Sequence, residues 1–448
     1  MHLKNKNIAV VGGGLVGSLL SIYLSRQGAA VSVFDKRDDI RLDDNSAGRS
    51  INLALSNRGI NALSKIGIEQ SVLKIAMPMY KRIMHSIHGD LTEQQYGKDS
   101  EAIYSISRHL LNSKLMNIAE KDSVKFSFNK HCISINPTTN TLFFSDNSNL
   151  RFDFIFGADG AGSVIRKKMV ELSKTIKSSV KFINSSYKEL TIPANDDGTH
   201  KIDNKALHIW PRKSFMVIAL PNLDGTFTCT LFAPNKGLNS FDSIKNSNDV
   251  DGVFVKYFKD LKSIIPNLSE QYFFNPTSPL GYVRCSSWRE NNTILIGDAC
   301  HATVPFYGQG MNSGFEDCFL LNRWLDQKRS FNNQDLDNFL HNRKIDTEAM
   351  QDLSMHNFIE MQDKTADKSF LLQKKIEEWF SNMHPQKWIP LYSMVTFSNI
   401  RYSEALKLGK DQNKIMLDIM KTNNLTSDYS LEELKRKNIE QQILDIIN

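Results

Sequence analysis

The chain has 448 residues, 41% of them hydrophobic and 23% charged, enough for two interleaved domains or one large one with a generous core, and it reads as an ordinary soluble globular protein. Its net charge of +6 comes from scattered Lys and Arg; the densest runs, Arg166-Lys167-Lys168 and Lys435-Arg436-Lys437, are short enough to be solvated helix faces and argue against a nucleic-acid partner. Five cysteines, odd in number, far apart and without a C-x-x-C pair, argue against a zinc site or a disulfide framework and for a reducing compartment.

The start "MHLKNKNIAVVGGG" turns after four apolar residues, too few for a secretory signal, and no apolar run approaches the roughly 18 residues of a membrane span. A cytoplasmic protein without a membrane anchor is expected. Residues 8 to 37 then alternate strand, glycine turn, helix and strand. "IAVVGGGLVGSLLSIYL" carries Gly12, Gly14 and Gly17 in G-x-G-x-x-G spacing between a buried strand and an amphipathic helix. Gly12 permits the tight turn, Gly14 lets a pyrophosphate approach the backbone, and Gly17 lets the helix pack close to the strand. Free amides at the helix start face the phosphates, and Asp35, ending "VSVFD", can accept hydrogen bonds from a ribose. The expected ligand is a dinucleotide.

Two more apolar runs end in a glycine and an acid, "RFDFIFGADGAGSVIRKKM" (151–169) and "TILIGDACHA" (293–302), as the strands of a mostly parallel sheet would. Between them, from about 180 to 275, "YKELTIP", "ALHIWP", "SFMVIALP" and "TFTCTLFAP" alternate apolar and polar residues and predict an antiparallel sheet, the floor or lid of a pocket. In "GDACHATVPFYGQGMNSGFEDC" (297–318), Asp298 can bond ribityl hydroxyls, and Gly308 and Gly310 turn into a helix that Asn312 or Ser313 can cap. The positive end of that helix suits the charge a reduced isoalloxazine develops. His301 reads as a structural histidine, and Pro305, Phe306 and Tyr307 as either loop packing or the wall of an aromatic pocket. After about 335 the chain turns helical, and its last 25 residues are polar enough to be loosely held.

The trio "GGGLVG", "GADGAG" and "GDACHATVPFYGQGMNSGFEDC" resembles the FAD-dependent aromatic hydroxylases, the single-component flavoprotein monooxygenases. Within them, "GRSINLALSNRGINAL", "PMYKRIMHSIHG", "YSISRHLLN", "LHIWPR", "DLSMHNFIEM" and "IPLYSMVTFSNIRY" are similar to the kynurenine 3-monooxygenase family, over about residues 7 to 405. The resemblance implies an α/β fold with a Rossmann-like FAD-binding domain (1–75, 100–180 and 276–335) interleaved with an antiparallel-sheet substrate domain (76–99 and 181–275) and a helical C-terminal region (336–448). It implies bound FAD reduced by transient NADPH, with no second dinucleotide fold. Oxygen then adds as a C4a-hydroperoxyflavin, whose distal OH passes to C3 of L-kynurenine.

The family's carboxylate clamp falls on Arg82 and Tyr96, and its other substrate contacts on Asn357 and Tyr392, with Pro305 and Phe306 between flavin and substrate. Taken alone, Arg82 would more often be a surface residue and Tyr96 a packed one. For the flavin, the resemblance marks Val16, the stretch Phe34, Asp35, Lys36 and Arg37, Ala54, Arg108, Asp298, Met311 and Asn312, with the Cys132 backbone near the adenine. No catalytic acid–base pair and no metal are implied. Two features depart from the family: Asp35 stands where Glu is common, and the chain past Tyr402 lacks the hydrophobic segment that anchors animal members to the mitochondrial outer membrane. Two rival readings share the FAD fingerprints without needing Arg82, Tyr96, Asn357 and Tyr392: another single-component aromatic hydroxylase, and a flavin-binding sensor without turnover.

Overall fold

A computed structural model describes residues 3–42, 52–96, 101–328, 332–363, 368–425 and 429–447, the side chains of 361–363 excepted. The part of the quoted motif at 48–51 lies outside the described residues. Six strands order as Arg289–Glu290, Thr293–Leu295, Phe154–Gly157, Asn7–Val11, Ala30–Phe34 and Lys125–Ser127, parallel throughout except for the first pair. The three glycine-and-acid turns of the sequence leave this sheet at one edge. Its inner strands are largely apolar because both faces are buried in one core, to which the helices Leu15–Arg26 and Gly310–Gln327 contribute together with a three-stranded antiparallel sheet, Cys132–Asn136, Thr141–Phe144 and Asn149–Arg151, that packs Phe144 on Phe34.

A second sheet of seven strands orders as Thr277–Cys285, Ser178–Ile192, Phe227–Pro234, Phe215–Pro221, Ala206–Arg212, Lys81–His85 and Leu91–Gln95. All pairs are antiparallel but one: Lys81–His85 runs parallel to Ala206–Arg212. The four quoted alternating segments are strands here, and Thr277–Cys285, expected on the dinucleotide side of a boundary at 275, pairs along this sheet's edge instead. The stretch after Pro234 departs from the all-strand expectation. Helices Ser247–Tyr257, Lys259–Ile264 and Leu268–Phe274 pack Val250, Phe254, Phe258 and Leu261 onto one face of the sheet. The sequence did carry a signal there: the Asn246 side chain accepts from the Asn248 and Asp249 amides and Asp249 caps back, a reciprocal helix start.

From Asn333 onward the chain is helical, as expected, but its end is not loosely held. Leu434, Ile439 and Ile443 are fully buried against Ile376, Phe380, Trp388, Met416 and Ile419. Polar composition misled because one apolar stripe per short helix is enough to seat it. Among the described residues no helix is long and apolar enough to cross a membrane, and all five cysteines are free and buried. Ile443→Ala should lower the thermal unfolding midpoint by several degrees, equivalent to about 2–4 kcal/mol, in calorimetry or circular dichroism; an unpacked tail would show no shift.

Candidate functional site

The helix Leu15–Arg26 begins with Gly14 at its cap and no side-chain bond there, so the first-turn amides are left for a ligand. A Cβ at Gly17 would sit 1.9 Å from the Gly12 carbonyl oxygen, and one at Gly12, where φ is +106°, 2.4 Å from that of Ala158. These two glycines serve the fold. At Gly14 a Cβ would meet nothing within 4 Å, which leaves the open cradle a pyrophosphate needs. Asp35 follows the second strand and is buried. Its Oδ2 accepts from the Gly13 amide at 2.8 Å and from Arg37 at 2.8 Å, and its Oδ1 accepts from the Arg37 backbone and Nε. Burial alone would raise the carboxyl, but Arg37 outweighs it and holds Asp35 below the usual range. The Arg37 side chain is half exposed, so a ribose can take its place on a carboxylate already ionised.

The second fingerprint starts at Gly297, with Asp298 opening the short helix Asp298–His301. The next helix, Gly310–Gln327, begins before the residues expected to cap it. Asn312 lies inside its first turn and spends its side chain on the protein: Nδ2 donates to the carbonyls of Ala54 and Gly308 at 2.8 Å, and Oδ1 accepts the Ser56 amide at 2.9 Å. Ser313 likewise caps nothing and accepts from Arg343. With no side-chain cap at Gln309, the helix presents its first amides to the cavity. His301 is buried and bonds Asp317 at 2.6 Å, the structural role expected of it.

These two turns open on one continuous cavity of about 2770 Å³. That exceeds the roughly 300–1,000 Å³ of a pocket for a single small ligand and leaves room for a dinucleotide with a second molecule beside it. Gly14, Val16, Ala54, Arg108, Asp298 and Met311 line it. Gly12, Gly17, Asp35, Lys36, Arg37, Cys132 and Asn312 do not, and Phe34 is packed into the core against Phe144 and Phe152. Cys132 is buried, with its thiol turned to the Ser134 carbonyl. The open cradle, the unclaimed amides of two helix starts and the space between them fit FAD.

At the far end of the cavity Arg82 projects from the strand Lys81–His85, recessed in the wall with its guanidinium carbon 4.2 Å from the Tyr392 ring centre and 5.1 Å from that of Tyr96. Among the described residues no carboxylate pairs with it. The buried Tyr96 hydroxyl makes no well-formed hydrogen bond, with Tyr392 and Arg82 as its polar neighbours. A cation and a donor left open together at the end of an apolar slot make a receptor for an anion. Burial, and after it the neighbouring Tyr392, pushes the Tyr96 hydroxyl well above the ordinary phenol range; burial also raises Tyr307 and Tyr392. All three remain donors at neutral pH.

Tyr307, read from sequence only as possible wall, stacks on Tyr392 at 5.6 Å and joins this cluster. Asn357 lines the cavity and its Nδ2 donates to the Phe306 carbonyl at 2.6 Å. The Phe306 ring stacks on Phe358 at 4.3 Å and tilts against Phe232 at 5.1 Å, with Pro305 beside it on the cavity wall. Leu207, Ile209, Met216, Ile218 and Phe232 supply the apolar floor. They were not singled out in the sequence, although period-two alternation in "ALHIWP" and "SFMVIALP" carried the signal.

A family model described as FAD binding domain matches residues 5–234 and 275–350. The kynurenine 3-monooxygenase of Christiangramia forsetii is 47% identical over 440 residues, covering 97% of this chain and 98% of that protein. That of Flavobacterium johnsoniae is 48% identical over 444 residues, covering 97% and 98%. Among solved structures, the tetrameric form of 2-methyl-3-hydroxypyridine-5-carboxylic acid oxygenase superposes with a TM-score of 0.64 at 19% identity, over 82% of this chain and 95% of that one. The two glycines should separate on substitution. Gly14→Ala should leave the apoprotein's thermal midpoint unchanged and weaken FAD at least about tenfold by fluorescence titration, whereas Gly17→Ala should fail to accumulate as folded protein; equal behaviour of the two would contradict the assigned cradle.

Proposed function

The chain belongs to the FAD-dependent kynurenine 3-monooxygenases, and on that premise we propose how its residues divide the work of converting L-kynurenine to 3-hydroxykynurenine with NADPH and O2. The observation that carries the assignment is the open Arg82 guanidinium beside the Tyr96 hydroxyl, at the end of an aromatic slot that leads to the flavin fingerprints. Arg82 holds the amino-acid carboxylate of kynurenine, and the Tyr96 hydroxyl completes the clamp. Tyr392 and Tyr307 wall the guanidinium so that its charge is spent on the ligand. Asn357 fixes the loop through the Phe306 carbonyl and places its amide at the slot, where Pro305 and Phe306 divide substrate from flavin.

FAD, when bound, accepts a hydride from NADPH and activates oxygen for transfer to the ring. The first-turn amides after Gly14 would hold its phosphates, with Gly12 and Gly17 shaping the turn. Asp35, with Lys36 and Arg37 beside it, serves the ribose end, and the neighbouring Phe34 and Cys132 contribute backbone only. Val16, Ala54, Arg108 and Met311 wall the cofactor, Asp298 meets the ribityl chain, and Asn312 contributes its backbone amide. The amino group of kynurenine activates the carbon ortho to it, so the protein positions the ring and excludes water, with no strong base to provide. The same reading gives a discontinuous FAD-binding part on the six-stranded sheet, a substrate part on the seven-stranded sheet and a helical region over 336–448. Five free buried thiols fit a cytoplasmic location.

Purified with its flavin, the protein should oxidise NADPH faster in the presence of L-kynurenine and release a product heavier by one oxygen atom. No stimulation and no oxygenated product would favour a flavin-binding sensor. Stimulation by another aromatic compound alone would favour a different hydroxylase. Arg82→Met should weaken kynurenine by at least about 30-fold, about 2 kcal/mol, while flavin content stays the same; unchanged affinity removes Arg82 from the clamp.

A further inference from the structure

Behind the strand that presents Arg82 runs a buried hydrogen-bonded chain that hydroxylation does not use. Along Lys81–His85 side chains alternate: Arg82 and Met84 face the cavity, Ile83 is buried away from it, and His85, at the strand end, is buried while also bordering the cavity. There His85 Nδ1 lies 2.8 Å from Asp260 Oδ2, and His85 Nε2 lies 2.9 Å from Nδ1 of His208. The other nitrogen of His208 is 2.8 Å from the Asp203 backbone carbonyl. A carbonyl only accepts, so His208 keeps its proton on Nε2 and offers a lone pair at Nδ1. His85 Nε2 therefore donates.

At the other end, Asp260 Oδ2 also accepts the Trp210 indole N–H at 2.8 Å. Burial alone would raise this carboxyl, but the bonds from His85 and Trp210 outweigh it and hold Asp260 down at about 2. A carboxylate only accepts, so His85 Nδ1 donates as well. An imidazole that donates from both nitrogens is an imidazolium. The extra proton does not belong to His208, which burial first, and the charge at His85 after it, holds down at about 4. The His85 ring stacks on Trp210 at 4.0 Å, an indole face that suits a cation.

The other charges packed around this chain are engaged elsewhere. Lys81 pairs with Glu93 and Asp203, Lys262 pairs with Asp251, and Arg212 donates to the carbonyls of His85, Ser86, Pro211 and Tyr257. Arg212 is the cation that competes with His85 for the field of Asp260. The Asp260 side chain is 37% exposed, which gives the proton a route to solvent without unfolding.

We propose that His85, held as an imidazolium between Asp260 and His208, is a positioning residue for Arg82, so that affinity for the substrate carboxylate depends on one proton stored behind the clamp. The inference rests on the Arg82 clamp reading. When that proton leaves, the chain is one donor short, and lone pairs meet at Asp260 Oδ2, at His208 Nδ1 or, if His208 moves its own proton to Nδ1, at the Asp203 carbonyl. One contact of the chain that backs the strand end turns repulsive, and the guanidinium three residues back loses its register with the Tyr96 and Tyr392 rings. The sign follows directly: protonation strengthens kynurenine binding, and rising pH weakens it.

The test titrates the FAD-loaded enzyme with L-kynurenine, without NADPH, following flavin absorbance across pH. The dissociation constant should rise at least about tenfold through a one-proton transition, with flavin still bound. Asp260→Asn should show the high-pH constant at every pH and lose the transition, with KM raised far more than kcat is lowered, and Asp260→Glu should restore it. A merely structural role would lower the thermal midpoint and leave the transition in place, which overturns the proposal. Should Asp260→Asn not fold, His85→Gln reads the same point, since a neutral amide must also abolish the transition. Loss of affinity in Arg82→Met with a flat wild-type profile sinks the stored proton and spares the clamp. Unchanged affinity in Arg82→Met sinks the clamp itself.

Discussion

Two adjacent buried acids on one helix, Glu316 and Asp317, tie the flavin-binding part of the molecule to the C-terminal helical region. Glu316 accepts from Arg58 at 2.6 Å and from Arg343 at 2.7 Å; Asp317 accepts from Arg343 at 2.6 Å, His301 at 2.6 Å and the Gly297 amide at 3.1 Å. Burial alone would raise Asp317, but the charges of His301 and Arg343 overcome it and keep the carboxyl low. Each partner comes from a different element: Arg58 from the helix Asn57–Lys65, Arg343 from Asn333–Asp363, and His301 from the turn that carries Asp298. Such a cluster adds little net stability over a well-packed apolar one, yet removing a single member strands a charge at a cost of about 3–5 kcal/mol. It therefore allows one arrangement of these helices and penalises the others.

That arrangement extends into the C-terminal region. Arg58 donates to the backbone carbonyls of Val395 and Ile400, and its guanidinium lies 3.9 Å from the Tyr402 ring centre. The Tyr402 hydroxyl in turn donates to Gln309 at 2.9 Å, at the start of the flavin-side helix. Tyr392, on the short helix just before Val395, thus shares a support with the second fingerprint, although the two lie far apart in sequence. The helical region is a wall of the site whose position is set from beneath the flavin.

The dinucleotide half was legible because its determinants are local: a strand, a turn and a helix within thirty-odd residues, in which each glycine answers to a neighbour close in the chain. The clamp was not legible in that way. Arg82, Tyr96, Tyr307 and Tyr392 come from four segments, and nothing near Tyr392 in sequence tells that a guanidinium will lie against its ring; only resemblance placed three of the four, and Tyr307 joined them once the chain was folded. The relay of His85, His208, Trp210 and Asp260 is of the same kind. Three of its residues stood in "RIMH" and "LHIWPR", but strand pairing had to set them side by side, and Asp260 comes from the helix Lys259–Ile264. Sequence reading erred at the tail, where it weighed polar composition over the one apolar stripe per helix, and over 180–275, where the strand expectation passed over the reciprocal helix cap of Asn246 and Asp249.

Hydroxylation demands that the substrate ring and the flavin be fixed relative to each other within about an ångström, and in the proposed arrangement the loop Pro305–Tyr307 adjoins both. That loop is held by amides from two helices. Asn312, on the flavin-side helix, donates to the Gly308 carbonyl at 2.8 Å, while Asn357, on the substrate-side helix, donates to the Phe306 carbonyl at 2.6 Å. The single turn Pro305–Tyr307 is thus pinned at its middle residue and just past its end. An amide suits this task better than a charged group, since it can bind a carbonyl without placing a net charge beside the reacting ring. Each residue was first noted as a ligand contact; their side chains act on the protein, and they serve the ligands by fixing the loop on which both ligands rest.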